Sequence, residues 1–193
     1  MKYRYPEFIK INNKEYKINT DFRVALECNK IALDDEINDY ERALAIIYKL
    51  FGEEVLDTER DYEKLLDLAQ LYLSCGKEIE KQDEQPDMDY IEDMDYIEAS
   101  FMSDYRIDLA NVKMHWWKFN NLINGLSNSE LGNCCVLNRI RNLRNFNTKD
   151  IKDPKERAKI EKAKKQVELK RYKKEPTKEQ MESAEELLKA LGL

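Results

Sequence analysis

Apolar side chains recur every three or four residues along most of this chain, which is the spacing that places them on one face of an α-helix. Amphipathic helices are predicted on this basis for residues 22–33, 37–51, 62–73, 90–105, 109–126 and 131–143. Alternation of apolar and polar residues is confined to the N-terminal residues 7–20. There Asn12 and Asn13 separate two short runs, and asparagine tolerates the positive φ of a tight turn. The pattern therefore predicts a short β-hairpin that packs on helices.

Glycine and polar residues mark several boundaries of the predicted helices. Gly52 is expected to end the second helix, because glycine adopts the left-handed conformation at little cost. Thr58 and Asp61 resemble a capping box at the start of the third helix. Ser127 and Glu130 form a better capping box, which predicts the start of the helix that continues to residue 143.

The composition becomes very polar from about residue 150. Pro154 suits the first turn of a helix. Residues 155–174 predict an extended charged helix, which is expected to protrude because it has few large apolar side chains. Pro176 ends that helix, and Thr177 caps a last amphipathic helix. This last helix docks either on its own domain or on a neighbouring subunit.

The predicted fold class is mainly α, with a short N-terminal β-hairpin and a protruding charged C-terminal helix. The expected organisation is a helical domain, residues 1–148, followed by a charged helical extension, residues 149–193. Within the first domain, an acidic stretch at about 81–95 contains a direct repeat, MDYIED followed by MDYIEA. A calcium site there is not favoured, because the central glycine and closing glutamate of an EF-hand loop are missing. A solvated connector is favoured, and docking on a basic partner is the alternative.

The most apolar and aromatic stretch of the chain is residues 94–126. Its second helix is expected to begin after the N-cap Asp108 and to end at Gly125. Met114 and Trp117 lie away from the apolar stripe of that helix. Either the helix is packed on both sides, as buried aromatics favour, or Trp117 anchors a partner protein. The predicted partner-binding residues are given together here: Phe101, Tyr105, Met114 and Trp117.

Charge is unevenly distributed over the chain. The net charge is −6, and the first hundred residues contain about twice as many acidic as basic residues, whereas the remainder is net basic. The asymmetry fits either attraction between two molecules or complementarity within one. Arg139, Arg141 and Arg144 suggest phosphate contacts, but solvated surface arginines are the favoured interpretation. Wholesale nucleic-acid binding is not favoured for an acidic protein.

No recognisable catalytic constellation occurs in the sequence. There is no glycine-rich phosphate loop, and the one histidine, His115, has no neighbouring cysteine, so a satisfied core histidine is favoured. The four cysteines show no zinc or Cys-x-x-Cys spacing and are expected to be reduced thiols. The N-terminal residues lack the apolar segment of a signal peptide, and no run approaches the roughly 20 apolar residues that span a bilayer. A soluble, intracellular, non-enzymatic protein without cofactor or metal is expected.

The central stretch also carries a family resemblance. The segments DYIEASFMSDYRIDL, residues 95–109, and HWWKFNNLINGL, residues 115–126, resemble the gene-product-fifteen family of tailed phages and prophages of Gram-positive bacteria. Members carry a similar Tyr-Ile-x-Ala-Ser/Ala-Phe segment, then Tyr-x-Ile-Asp-Leu, His-Trp-Trp-x-Phe and Gly-Leu. The N-terminal half agrees in outline, and the tail beyond about Lys174 is longer than the family pattern.

The resemblance implies a role in building the phage tail. In such phages the gene typically lies between those for the tail tube and the tape measure protein, the place of tail assembly chaperones. The implied partners are the tape measure protein and the tail tube protein, in the host cytoplasm and with no place in the mature virion; a homo-oligomer is also compatible. A structural virion component is the alternative, and a nucleic-acid-binding regulator is less favoured.

Overall fold

The computed structural model describes residues 5–77, 85–128 and 133–172. The chain divides into two compact units, Met1–Asn147 and Thr148–Leu193. The described elements are β1 (Phe8–Ile11), β2 (Lys14–Lys17), α1 (Phe22–Ala32), α2 (Asp39–Phe51), α3 (Glu53–Thr58), α4 (Tyr62–Leu73), α5 (Met94–Tyr105), α6 (Trp116–Asn124), α7 (Val136–Asn145), a 3-10 turn (Thr148–Asp150) and α8 (Pro154–Gln166). The predicted class, mainly helical with an N-terminal hairpin, is confirmed.

The hairpin forms at the predicted turn. Asn12 and Asn13 have φ values of 48° and 63°, and two consecutive positive φ angles are typical of the tight turns that join antiparallel strands. β1 and β2 pair antiparallel, with Ile11 opposite Lys14. Inward-facing side chains of the hairpin join the hydrophobic core, which supplies the packing that a two-stranded sheet needs in water.

The region between α2 and α4 differs from the prediction. Gly52 ends α2 with a φ of 82°, as predicted, but a short helix, α3, then begins at once. The Thr58 hydroxyl donates to the Glu54 carbonyl within α3, so Thr58 does not cap the next helix. Asp61 is the N-cap of α4, because its carboxylate accepts from the Lys64 amide at 3.1 Å.

The second central helix begins later than its apolar spacing predicts. α6 starts at Trp116, and Asp108 is not its N-cap. The Asp108 carboxylate instead accepts from the Ala110 amide and the Asn111 side chain, closing a local turn. Residue 115 forms a bridge with residue 21, so the chain is extended immediately before α6. The predicted end at Gly125 is confirmed.

The start of α7 was also predicted too early. α7 begins at Val136, and its N-cap is Cys135, whose Sγ accepts from the Asn138 amide at 3.4 Å. Ser127 precedes a bridge between Asn128 and Cys134 and does not begin a helix. Glu130, the second half of the predicted capping box, lies outside the described residues.

The core of the first unit is aromatic at its centre. Phe119 on α6 stacks against Phe22 at a centroid distance of 4.6 Å, Phe101 at 5.3 Å and Trp116 at 5.8 Å. These rings come from α1, α5 and α6, and stacked aromatic pairs contribute beyond the area that they bury. Phe119 of α6 is therefore the ring at which α1 and α5 meet.

In the second unit, α8 has Pro154 at its first turn, as predicted, and Asp153 as N-cap. The helix ends at Gln166, eight residues before the predicted end, and none of its residues is buried. The last amphipathic helix predicted from Thr177 lies outside the described residues.

Two general findings complete the description. No helix within the described ranges is both long and apolar enough to cross a bilayer. All four cysteines are free thiols, and Cys28 and Cys135 are buried.

Candidate partner-binding groove

A surface groove forms where three distant segments of the first unit meet. Its base is the extended segment that follows β2, residues 17–21. On one side the Asn19 amide donates to the Leu50 carbonyl at the end of α2, at 2.7 Å. On the other side the Trp116 amide donates to the Thr20 carbonyl at 2.8 Å, just after residues 113–115. The resulting cavity has a volume of about 980 Å³.

The groove has an apolar floor and a polar rim. The floor consists of side chains that also belong to the core, namely Ile18, Leu50, Phe51 and Met114. The exposed rim residues are Lys17, Asn19, Tyr48, Lys49, Glu53 and Lys113. The floor side chains are at most 6% exposed, whereas Tyr48 is 51% exposed, so the ring of Tyr48 is the main apolar group of the groove that a partner can reach. Binding clefts combine apolar area, which supplies affinity, with a few polar groups that supply orientation.

The charges of the rim are only partly balanced within the chain. Lys49 contacts the Glu27 carboxylate at 2.6 Å, and this hydrogen bond raises the pKa of Lys49. Asp21 is paired with Arg23. In the part of the chain that the structure describes, neither Lys17 nor Lys113 makes an ion pair. The groove therefore presents two unneutralised cations on a chain of net charge −6.

His115, which lines the groove, uses both of its ring nitrogens to bind backbone groups. The Trp117 amide donates to its Nδ1 at 3.0 Å, which makes His115 the N-cap of α6. Because Nδ1 accepts, the ring proton lies on Nε2, which donates to the Pro6 carbonyl at 2.9 Å. The ring also stacks on Tyr5. The predicted interpretation, a satisfied structural histidine, is confirmed by this geometry.

The structure separates the four predicted partner-binding residues. Phe101 is fully buried against Phe119, because α5 packs on α6 and α7, so its ring offers no exposed surface in this structure. The Tyr105 hydroxyl donates to the Leu122 carbonyl at 2.9 Å, beside a different cavity. Of the four, only Met114 lines the groove, where it is 6% exposed and forms part of the floor.

Trp117 packs against the end of α4. Its indole N–H donates to the Tyr72 carbonyl at 2.9 Å, and the two rings stack. Gly76, with a φ of 75°, passes so close that a Cβ there would lie 3.1 Å from the indole ring. α6 is therefore packed on both sides, which was one of the two interpretations of its sequence. Trp117 is half-buried and borders a small cleft of about 200 Å³.

The acidic stretch before α5 does not match the predicted solvated connector where the structure describes it. Asp93 is 1% exposed, and Arg144 donates two hydrogen bonds to its carboxylate, each of 2.7 Å. Arg141 contacts Asp87 at 3.1 Å. The interpretation of these two arginines as solvated is also wrong, whereas Arg139 is exposed. Charge complementarity within the molecule accounts for this part of the asymmetry.

The described acidic residues and thiols are the groups that a metal site or a reactive cysteine would use. In residues 5–77, 85–128 and 133–172, no group of three or more histidine, cysteine, aspartate or glutamate side chains is arranged to hold a metal ion. Burial raises the pKa of the Cys28 thiol to about 12 and that of Cys75 to about 11. Since the thiolate is the reactive form, both thiols are poor nucleophiles.

Sequence reasoning did not identify the groove residues Lys17, Tyr48 and Lys113. They lie on three segments whose proximity depends on the long-range backbone hydrogen bonds described above. Helical periodicity reports only which residues share one face of one element. The one local signal is Tyr48, an aromatic residue on the polar side of α2.

The fold and groove define a mainly helical protein with an N-terminal hairpin and a surface cleft beside the end of that hairpin. The family described as "Bacteriophage Gp15 protein" matches residues 2–169, so the chain belongs to this family and is a bacteriophage protein. Comparison with curated proteins and with solved structures gives no match.

Proposed function

We propose that this phage protein is a tail assembly chaperone-like protein, which binds the tape measure protein and assists assembly of the tail tube. Membership of the Gp15 family makes this a phage protein, and the resemblance described above implies that its gene lies beside those of the tail. The observation that carries the proposal is the groove, because its exposed Tyr48 ring and its polar rim suit a segment of another protein.

The proposed mechanism is stoichiometric covering of apolar surface. A long helical tape measure exposes amphipathic segments before the tube encloses it, and such segments dock by placing their apolar face in a groove. The groove of this chain would hold one segment at a time and keep it from associating with others. The tube subunits would then displace the chaperone as they assemble.

The second unit supplies a different surface for the same process. Its described part, residues 148–172, contains ten basic and five acidic residues, and α8 buries none of its side chains. We assign to it recruitment of tail tube subunits or self-association, both of which charged helices can mediate through electrostatic steering.

The proposal includes no catalytic step and no cofactor. The only histidine uses both ring nitrogens to hold backbone groups, and the Cys28 and Cys75 thiols have raised pKa values. A chaperone that leaves after assembly acts in the host cytoplasm and is missing from finished particles. Proteomics of purified virions distinguishes it from a structural tail component, which would be present in fixed copy number.

Co-expression with the tape measure protein of the same genome tests the proposal. We expect the tape measure to become soluble and to co-purify with this chain, whereas co-expression with the tail tube protein alone should not change tape measure solubility. If tape measure solubility is unchanged and the two proteins never co-purify, the proposed function is wrong.

A further inference from the structure

We infer that the groove recognises a short amphipathic segment that carries carboxylates beside an apolar or aromatic side chain. This inference rests on the proposed function, because the tape measure protein is taken as the source of the segment. It goes further by stating which part of this chain binds and which side chains the partner must offer.

The unpaired lysines determine the charge of the partner. Lys17 and Lys113 are exposed at the rim and make no ion pair within the described residues. An acidic chain repels acidic partners at long range, so a local positive potential is needed where such a partner docks. Carboxylates at the rim would contact these two ammonium groups and fix the register of the bound segment.

Tyr48 determines the apolar side chain of the partner. The floor side chains are almost completely buried, with 0–6% of each exposed, so they form a rigid base but offer little apolar area of their own. Tyr48 stands at the edge of this surface with about half of its side chain exposed. Tyrosine is enriched at binding hot spots because it offers a large rigid ring with a polar tip.

The negative end of α2 does not cancel this preference. The last carbonyls of a helix carry partial negative charge, but those of Tyr48 and Leu50 already accept hydrogen bonds from Gly52 and Asn19. Of the two acidic residues that line the groove, Asp21 is paired with Arg23, and the exposed Glu53 disfavours a carboxylate at its own position. The partner's acidic residues are therefore directed toward Lys17 and Lys113.

A peptide-binding experiment on the full-length protein tests the inference. The probes are overlapping synthetic peptides of about 20 residues that cover the neighbouring tape measure protein, a length that includes the i, i+3, i+4 and i+7 anchors of a docked helix. Binding is followed by fluorescence anisotropy. We expect the tightest peptides to be acidic and amphipathic, and their affinity to fall as salt is added.

Charge reversal at the rim is the first variant test. We expect Lys17→Glu with Lys113→Glu to weaken the best peptide by about tenfold or more, because like charges replace opposite ones. The matched control is Lys64→Glu with Lys118→Glu, two exposed lysines outside the groove, which changes the net charge equally. The control should stay within about twofold. A peptide whose acidic residues are replaced by lysine should bind the groove variant more tightly than it binds the wild-type protein.

Tyr48→Ala is the second variant test, with Tyr40→Ala as its control on the same helix. Tyr40 is 62% exposed and does not line the groove. We expect about a fivefold loss of affinity for Tyr48→Ala and almost none for Tyr40→Ala, in line with the uneven contributions of interface residues. Circular dichroism confirms that each variant keeps the helical fold.

The outcomes separate this inference from the proposed function. If the groove variants and the control variants weaken peptide binding equally, the groove is not the binding site, while the proposed function stands. Equal binding of uncharged apolar peptides overturns the acidic chemistry. If the tape measure protein co-purifies but no peptide binds, only the inference about the groove is wrong. If the tape measure protein does not co-purify and no peptide binds, both proposals are wrong. If the protein forms a dimer that only the groove variant disrupts, a second copy of this chain occupies the groove, and the inference is wrong.

Discussion

Asp93 and Arg144 join two parts of the chain that are far apart in sequence. The Asp93 side chain is 1% exposed and that of Arg144 is 11% exposed, so both charges have been removed from water. The desolvation cost is offset by two short parallel hydrogen bonds, the geometry in which arginine and carboxylate interact most strongly. Arg144 also donates to the Asp87 carbonyl at 2.8 Å, which fixes the stretch before α5 on α7.

Loss of this arginine should be costly. We expect Arg144→Ala to lower the free energy of unfolding by about 3–5 kcal/mol, because Asp93 remains buried without its counter-charge. Chemical denaturation at neutral pH measures the change. Arg139→Ala is the control on the same helix, where the side chain is exposed, and should cost less than about 0.5 kcal/mol. Equal effects of the two substitutions would contradict the proposed importance of the buried pair.

Glu59 gives the first unit a measurable dependence on acid. Hydrogen bonds from the Tyr16 hydroxyl and then from the Asn12 side chain lower the pKa of Glu59 below its usual 4.5. A lowered folded-state pKa stabilises the protein above the unfolded-state pKa, and this stabilisation is lost as the pH falls through the folded-state value. These hydrogen bonds link the hairpin to Glu59, the residue that follows α3, and they favour the ionised form of its carboxylate.

Replacement of the Glu59 carboxylate should make the free energy of unfolding depend less on pH in the acid range. We expect Glu59→Gln to reduce the slope of unfolding free energy against pH between about pH 5 and pH 3. Urea denaturation at a series of pH values provides the measurement, and Glu63→Gln, at an exposed carboxylate in α4, is the control. An unchanged slope in Glu59→Gln would show that other groups account for the acid sensitivity.

The start of α6 illustrates which features of an element can be predicted. Its apolar spacing and the Gly125 end are local properties, and both were visible in the sequence. The apolar period continues through Leu109 and Val112, although these residues precede the helix, because Leu109 is buried from a turn. The true start depends on the pairing of residue 115 with residue 21. A contact between residues so far apart leaves no trace in local periodicity.

His115 should contribute to stability in two separable ways. We expect His115→Ala to lower the free energy of unfolding by about 2 kcal/mol, since it removes the cap on the Trp117 amide and the bond to the Pro6 carbonyl. His115→Asn should recover about half of the loss, because asparagine is a strong N-cap but does not reach Pro6. Thermal or urea unfolding distinguishes the variants. Equal stability of His115→Ala and the wild type would refute this role.

Short elements and distant charges were the main failures of the sequence interpretation. α3 has six residues, too few for helical periodicity to be visible. The ion pairs of Asp87 and Asp93 could not be predicted, because composition shows charge but not its neighbours. The mainly helical class could be predicted, since it follows from long repeating patterns and few turn residues.

At the scale of the whole molecule, charge is unevenly distributed between the two units. The described part of the second unit is net basic, whereas the complete chain has a net charge of −6. Within the first unit, two arginines that had suggested phosphate contacts are bonded to Asp87 and Asp93. This arrangement leaves fewer cations for a nucleic acid than the sequence suggested.

The full-length protein should therefore bind DNA poorly. We expect no retardation of duplex DNA at about 150 mM salt, because non-specific binding depends on many phosphate contacts and falls steeply with salt. A gel shift over a series of salt concentrations measures this. A complex that survives at that salt concentration, with a steep dependence on salt, would favour the nucleic-acid-binding alternative.

The groove also has a consequence for the timing of synthesis. Its base comes from residues 17–21 and its two sides come from residues 48–53 and 113–115. Domains form as the chain emerges from the ribosome, N-terminal part first. A nascent chain that stops before Lys113 has the hairpin strands and α2 but lacks the second side. The cleft is complete only after more than half of the polypeptide has been translated, so any segment that binds there meets a finished cleft only on a completed or nearly completed copy.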